Sequence, residues 1–466
     1  MRRILATPLL STIALAAGCE GPFVPPPARQ VPVASVTLTP DAAVIRPGDT
    51  LRLRFTLRDS SGQTLTGRLP AFESTDLAVA AVSGDGLVRA VAFGTARITA
   101  VADGHSDSAL IHVVSVTLAS ISAGGNHTCG ATTDGGVMCW GDNRYGQTGT
   151  GQVAPVVRFP SPVVNLIAAE PVAGGNHTCA LGGGGTYCWG WNQSGQLGIG
   201  TGGDRPEPEI VLAESTFTAL TAGGQHTCAL TGGGTAYCWG LSADGQVGDS
   251  ALGNRVRPVL VHGGLRFTAL SAGGRHTCGI TTDSLAYCWG ANGFGQLGDS
   301  TTAPRSIPTP VAGGFRFVAI ASGRFHSCAL STAGKAYCWG YNGRHELGTT
   351  TPDSVAHQPV AVDGGRSFTS VTAGGRHTCA LMADGTAYCW GYNALGQVGD
   401  SSTADAAGPV AVRTGARFVT LHTFGDHTCG MATTGRAYCW GFGGTGELGT
   451  GLFASSTFPV PVAGQP

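Results

Sequence analysis

Apolar and polar residues alternate in short runs from about Ala34 to Val114, as in Ser35-Val36-Thr37-Leu38 and Leu51-Arg52-Leu53-Arg54-Phe55. Side chains of a strand point alternately to its two faces, so this period of two predicts half-buried strands. Pro47-Gly48-Asp49 and Asp59-Ser60-Ser61-Gly62 supply turns between them, and together these signals predict a small β-sandwich. Beyond Val116 a much longer period takes over. His127, His177, His226, His276, His326, His377 and His427 recur every 49 to 51 residues, each inside a unit typified by SAGGRHTCGITTDSLAYCWGANGFGQLGDS at 271–300. Within a unit, an H-T-C-A-L run and an A-Y-C-W-G run read as two strands joined by a turn of Gly, Asp and Thr, and an apolar P-V-x-V run follows,. One unit therefore predicts one four-stranded sheet with two apolar faces. Such a sheet cannot stand alone, and seven copies can close into a ring that hides nearly every edge. The expectation is an all-β chain, with a β-sandwich over 34–114 and a seven-bladed β-propeller over 117–466.

The motif G-G-x-H-T, followed by Y-x-W-G-x-N-x-x-G-Q-L-G, closely resembles the regulator of chromosome condensation repeat, in seven copies that fill the chain from 117 to 466. Departures are local: Ser242 and Gly443 replace the asparagine, Arg324 and Phe424 replace glycines, and His345-Glu346 replaces Gly-Gln in the fifth unit. The sandwich segment resembles the bacterial Ig-like group 2 domain in Phe72-Glu73-Ser74-Thr75-Asp76, in Ser83-Gly84-Asp85-Gly86-Leu87-Val88 and in Gly94-Thr95-Ala96-Arg97-Ile98-Thr99-Ala100, with Phe72 in place of a tryptophan. The first resemblance implies a propeller that binds other proteins, as in a secreted β-lactamase inhibitor and in the exchange factor for a nuclear GTPase. The second implies a structural spacer on an exported protein.

The N-terminus places the chain outside the cytoplasm. Arg2 and Arg3 precede an uncharged run from Ile4 to Ala17 that is too short to span a bilayer, the pattern of an export signal over residues 1–19,. Leu15-Ala16-Ala17-Gly18-Cys19 resembles a bacterial lipobox, with Ala16 where a larger aliphatic residue is usual, so Cys19 is the expected lipid attachment point. Residues 20–33 are proline-rich and read as a stiff tether,. Glu20 is not the aspartate associated with inner-membrane retention, which favours the outer membrane or cell surface. Export argues against guanine-nucleotide exchange, because the chain does not meet a nuclear GTPase. Net charge is −1 and Lys335 is the single lysine, so no basic surface offers itself to nucleic acid, and membrane contact is expected through the lipid alone,.

Fifteen cysteines comprise Cys19 and two per repeat: Cys129 and Cys139, Cys179 and Cys188, Cys228 and Cys238, Cys278 and Cys288, Cys328 and Cys338, Cys379 and Cys389, and Cys429 and Cys439. With Cys278 opposite Cys288, Ile280 faces Ala286 across a three-residue loop at Thr282-Asp283-Ser284, while the shorter second unit closes on Gly183-Gly184,. Opposed residues on antiparallel strands stand close enough to bond, and an exported chain with an even number of cysteines after Cys19 favours seven disulfides. The rival reading is seven metal sites built on His-x-Cys. It is weaker, because zinc wants four ligands and no fourth recurs at constant spacing. Free buried thiols are the remaining alternative. No metal or other cofactor is expected.

The recurring histidines, tyrosines and tryptophans read as core, and a residue repeated in every blade answers a need common to every blade. For the histidines that need is expected to be a hydrogen bond to a neighbouring loop. No Ser/His/Asp order, fixed carboxylate pair or phosphate loop stands out, so no catalytic residue is assigned. Function is sought where repeats differ. The position after Trp-Gly holds Asp142, Trp191, Leu241, Ala291, Tyr341, Tyr392 and Phe442, and the position before the motif histidine holds Asn126, Asn176, Gln225, Arg275, Phe325, Arg376 and Asp426. Aromatics and arginine are the usual anchors of protein interfaces. Trp191, Phe325, Tyr341, Arg376, Tyr392 and Phe442 are therefore the candidate binding residues, unless they pack only against the adjacent blade. A protein partner is the first expectation and an envelope polysaccharide the alternative, with inhibition of an enzyme as a further one.

Overall fold

The computed structural model describes residues 30–465 apart from Phe93, Ala168 and residues 351–353. The export signal, Cys19 and the tether as far as residue 29 lie outside the described residues.

In the N-terminal unit, a four-stranded sheet orders Ala42–Ile45, His105–Val113, Gly94–Ala102 and Ala71–Ser74. Smaller sheets pair Ser35–Thr39 with Arg54–Arg58, and Thr50–Arg52 with Leu87–Ala90 and Ala80–Val82. The inward members of each alternating run, among them Leu38, Leu57, Val88, Ile98 and Ile111, form one core. Phe72 fills the tryptophan position and meets Phe55 edge to face at 6.0 Å between centroids.

Seven four-stranded sheets follow, each made from one consecutive stretch of chain. In blade four the strands run from the centre outward as Phe267–Ala272, His276–Thr281, Ala286–Gly290 and Arg305–Pro310. Cys278 faces Cys288 and Ile280 faces Ala286, with Ser284 at φ +66° closing the loop. In blade two Gly182 faces Gly185, so the one-residue deletion leaves the cysteines in register. All seven cysteine pairs are bonded, with Cα atoms 4.0 to 4.1 Å apart. The outermost strands carry prolines, among them Pro208, Pro258, Pro308, Pro359, Pro409 and Pro459. A proline offers no N–H to an incoming strand, which blunts these open edges.

Blades coincide with repeats. The C-terminal strand Ser456–Pro461 pairs with Ala437–Gly441 of its own unit rather than completing blade one. The ring is closed instead by a set of bonds repeated at every junction. His127 Nε2 lies 2.8 Å from Thr178 Oγ1 of the next blade. That hydroxyl donates to the Gln147 carbonyl at 2.8 Å, and the same carbonyl accepts the Trp189 indole N–H at 3.0 Å. The last junction has the same form: His427 reaches Thr128 at 2.9 Å, while Thr128 and Trp140 both donate to the Glu447 carbonyl. The partner of each histidine is thus a hydroxyl on the neighbouring strand, not a loop. Glycine amides add an inner belt, as Gly125 N to Gly174 O at 2.9 Å and Gly425 N to Gly124 O at 3.0 Å. A Cβ at Gly125 would collide with the carbonyl of Gly175, so the belt requires glycine there,.

The two units touch. Val116 N donates to Gly464 O at 2.8 Å, Arg158 of blade one pairs with Asp41 at 3.3 Å, and His112 stacks on Phe159 with centroids 5.7 Å apart.

Candidate functional site

Each blade ties its two variable positions together. The amide after Trp-Gly donates to the carbonyl before the motif histidine, as Tyr341 N to Phe325 O, Tyr392 N to Arg376 O and Phe442 N to Asp426 O, all at 2.9 Å. The bond recurs in all seven blades, so both sets of variable residues lie on one face of the ring. A third variable position joins them: Tyr145, Ser194, Asp244, Phe294, Arg344, Leu395 and Thr445 occupy the last place before the glycine of N-x-x-G, or before His345 in blade five. It reaches into the next blade, with Asp244 paired to Arg275 at 2.8 Å and Phe294 against Phe325 at 5.2 Å.

On blades four to six these positions merge into one patch. Phe294, 37% exposed, meets both Phe325 and Tyr341 edge to face, the latter at 5.1 Å. Arg324 covers the Phe325 ring at 5.1 Å. Arg376 lies 4.2 Å and Arg344 5.6 Å from the Tyr392 centroid. Four candidates, Phe325, Tyr341, Arg376 and Tyr392, therefore fall in this patch. Trp191 pairs with Tyr145 on the other side of the ring at 5.9 Å, and the Phe442 ring lies against Gly444 of its own turn. Neither belongs to the patch. Phe325, Tyr341 and Tyr392 are half-buried, bracing adjacent loops, and Phe294 is exposed.

Six of the seven positions before the histidines, all but Arg376, also surround a cavity of about 620 Å³ at the mouth of the central channel. Asn126, Asn176 and Gln225 supply carboxamides on one side, and Arg275, Arg324 and Phe325 line the other. Phe424 borders both this cavity and the channel beneath, which is lined by small residues such as Ser122, Thr221 and Ser271.

Blade five carries three departures from the repeat, Arg324, His345 and Glu346. His345 stands at φ +67°, where blade four has Gly295 at +73°, a conformation that disfavours a side chain,. Beside it, Glu346 Oε2 accepts the Arg344 amide at 2.8 Å, as Gln296 Oε1 accepts that of Phe294 at 2.9 Å in blade four. Burial pushes the carboxyl of Glu346 up to about 7, and likewise that of Glu447 in blade seven. The folded protein then holds protons that the unfolded chain releases above its ordinary value of 4.5. Stability from this source is complete below that value and is lost as pH rises through about 7,. Glu346→Gln is expected to stabilise the protein by about 1–3 kcal/mol at pH 8 and by progressively less toward pH 6, read from thermal unfolding.

A disulfide-stapled seven-bladed propeller with its sequence variety gathered on one face defines the class of protein. The chain belongs to the RCC1-like domain family, whose pattern matches residues 172–465; residues 118–147 match the regulator of chromosome condensation (RCC1) repeat and residues 32–113 the bacterial Ig-like domain (group 2). Human WBSCR16 is similar in structure, with 21% identity and a TM-score of 0.64 over 72% of this chain and 92% of its own. Yeast RCC1 (Prp20), solved with Kap60, has 22% identity and a TM-score of 0.63 over 75% of this chain and 84% of its own. Prp20p from Saccharomyces cerevisiae gives 22% and 0.63 over 71% and 87%. No curated protein matches the chain in sequence. At such identities the likeness shows the fold.

Proposed function

We propose that this chain is an exported, lipid-anchored and non-catalytic protein that binds a protein partner through the loops of blades four to six. The observation that carries the reading is the convergence of departures. Seven turns of one repeat are interchangeable by construction, yet Arg324, Phe325, Tyr341, Arg344 and His345 of blade five, with Phe294 and Tyr392 beside them, place aromatic rings and guanidinium groups on one patch. Such residues anchor protein interfaces. Yeast RCC1 has been solved bound to Kap60, and Prp20p has binding properties to Gsp1p and histones, so proteins that carry a propeller of this shape do bind other proteins. Sugar binding calls for open aromatic faces. Here Phe294 meets its neighbours edge to face and Arg324 covers Phe325, which favours a protein partner,.

Capture from native envelope extract, set against a glycan array, identifies the partner class. The triple variant Phe325→Ala/Tyr341→Ala/Tyr392→Ala is expected to weaken binding at least about tenfold, since one buried anchor is worth about 2 kcal/mol or more. Phe442→Ala serves as a control on the same face. Unchanged affinity would reject the patch, and a collapse of the unfolding temperature would show that the rings only brace the loops. Cys19→Ala is expected to move the chain from the membrane to the soluble fraction.

A further inference from the structure

The mouth cavity has a charge asymmetry that the patch does not explain. Of the charged groups on its wall, Arg275 is paired with Asp244 at 2.8 Å, and Asp426 faces Arg376 at 3.9 Å. Arg324 is exposed, and among the described residues it makes no ion pair; its guanidinium lies over the face of Phe325. It stands where all six other repeats have glycine, and its amide still makes the belt bond, donating to Gly374 O at 3.2 Å, so the belt does not call for the side chain. The side chain is thus an addition to the repeat, placed at a concave site with an uncompensated positive charge. Opposite it, Asn126, Asn176 and Gln225 present side-chain amides that can donate to or accept from a main chain,. A guanidinium held against an aromatic ring keeps its N–H edge free for a planar carboxylate.

We propose that the mouth is the anchor pocket of the binding face, and that it takes an acidic side chain from a loop of the partner protein, its carboxylate seated on Arg324 and its main chain on the three carboxamides. The assignment rests on the protein-binding reading above and names the partner's chemistry. The edge-to-face packing of Phe294, Phe325 and Tyr341 beside the pocket favours a peptide over an acidic sugar, because no broad ring face is left for a sugar to stack on.

The probe is a displayed library of random disulfide-closed peptide loops, selected on the purified chain. Enrichment of Asp or Glu is expected, as is loss of affinity of at least about tenfold when Arg324→Gly restores the residue common in the repeat. Arg324→Glu should shift selection toward Lys and Arg. Thermal unfolding of both variants should stay near wild type, because glycine at this position is compatible with the belt in other blades. Enrichment of neutral loops, binding indifferent to Arg324, or failure to enrich any loop would each overturn the pocket. The protein-binding reading is judged separately, by whether the Phe325/Tyr341/Tyr392 variant loses its envelope partner.

Discussion

Acidification from pH 7 to pH 4 is expected to unfold the propeller in one steep transition. Each motif histidine is fully buried, and its Nε2 faces a hydroxyl whose own proton is donated to a carbonyl, as with Thr178 and Gln147. The hydroxyl can therefore only accept, so Nε2 carries the proton and Nδ1 is the bare nitrogen. Nδ1 has no partner in any of the seven rings. A second proton there would be a buried charge without an acceptor. Burial accordingly pushes these histidines down to about 3 or 4, and neighbouring histidines add to the effect at His177, His276, His377 and His427. The folded value lies below the unfolded 6.5, so the stability it contributes is complete above pH 6.5 and is lost as pH falls toward 4,. Every tenfold loss of proton affinity on folding amounts to about 1.4 kcal/mol per histidine, and seven act together. Chemical denaturation at half-unit pH steps should show the free energy falling below pH 6.5 with a slope of several protons. A flat profile between pH 6.5 and 5 would mean that the rings are hydrated or otherwise partnered.

Reduction should be nearly as damaging, but only once the chain is open. All fourteen repeat cysteines are fully buried, so dithiothreitol is expected to leave the folded protein intact. After reduction and alkylation in denaturant, the chain should fail to regain its structure at 37 °C, because each short loop contributes up to about 2–3 kcal/mol by restricting the unfolded chain. Thiol labelling of the denatured, unreduced mature chain should find none of the fourteen reactive. Seven or more labelled thiols would contradict the pairing.

The hairpins were legible from spacing alone. The facing of Ile280 and Ala286 and the tight Gly183-Gly184 turn both follow from placing the cysteines opposite one another, because turn length and strand period leave one register,. The phase of the blades was not. Any cut through a repeat preserves the central hairpin, so only the pairing of Ser456–Pro461 with its own unit decides the matter. The histidine partners were hidden for a related reason: His and Thr recur together, and a period cannot say which copy meets which. Within the patch on blades four to six, Phe325, Tyr341, Arg376 and Tyr392 stood out as aromatic rings or an arginine at two positions that vary from blade to blade. Phe294 and Arg344 were missed because their equally variable position lies inside the N-x-x-G turn, between the regular asparagine and glycine, and nothing in the spacing shows that it reaches into the next blade. Comparing the N-x-x-G turns with one another, rather than with a motif, would have exposed them.

None of the seven disulfides joins one blade to another; each spans 9 or 10 residues. The bonds that shut the ring connect residues 299 and 307 apart, Thr128 with His427 and Trp140 with Glu447. Folding is thereby divided into two kinds of search. Oxidised hairpins form quickly because their ends are near in the chain, and successive blades can stack in order as the polypeptide emerges. The meeting of first and last blades carries the whole entropic cost of long-range closure and cannot begin until the seventh unit is present. Until then the indole of Trp140 has no carbonyl to meet, and one flank of blade one stays open to the corresponding flank of another nascent chain. The price of a ring without strand exchange is a vulnerable interval late in synthesis, and commitment to the native state waits on the last fifty or so residues.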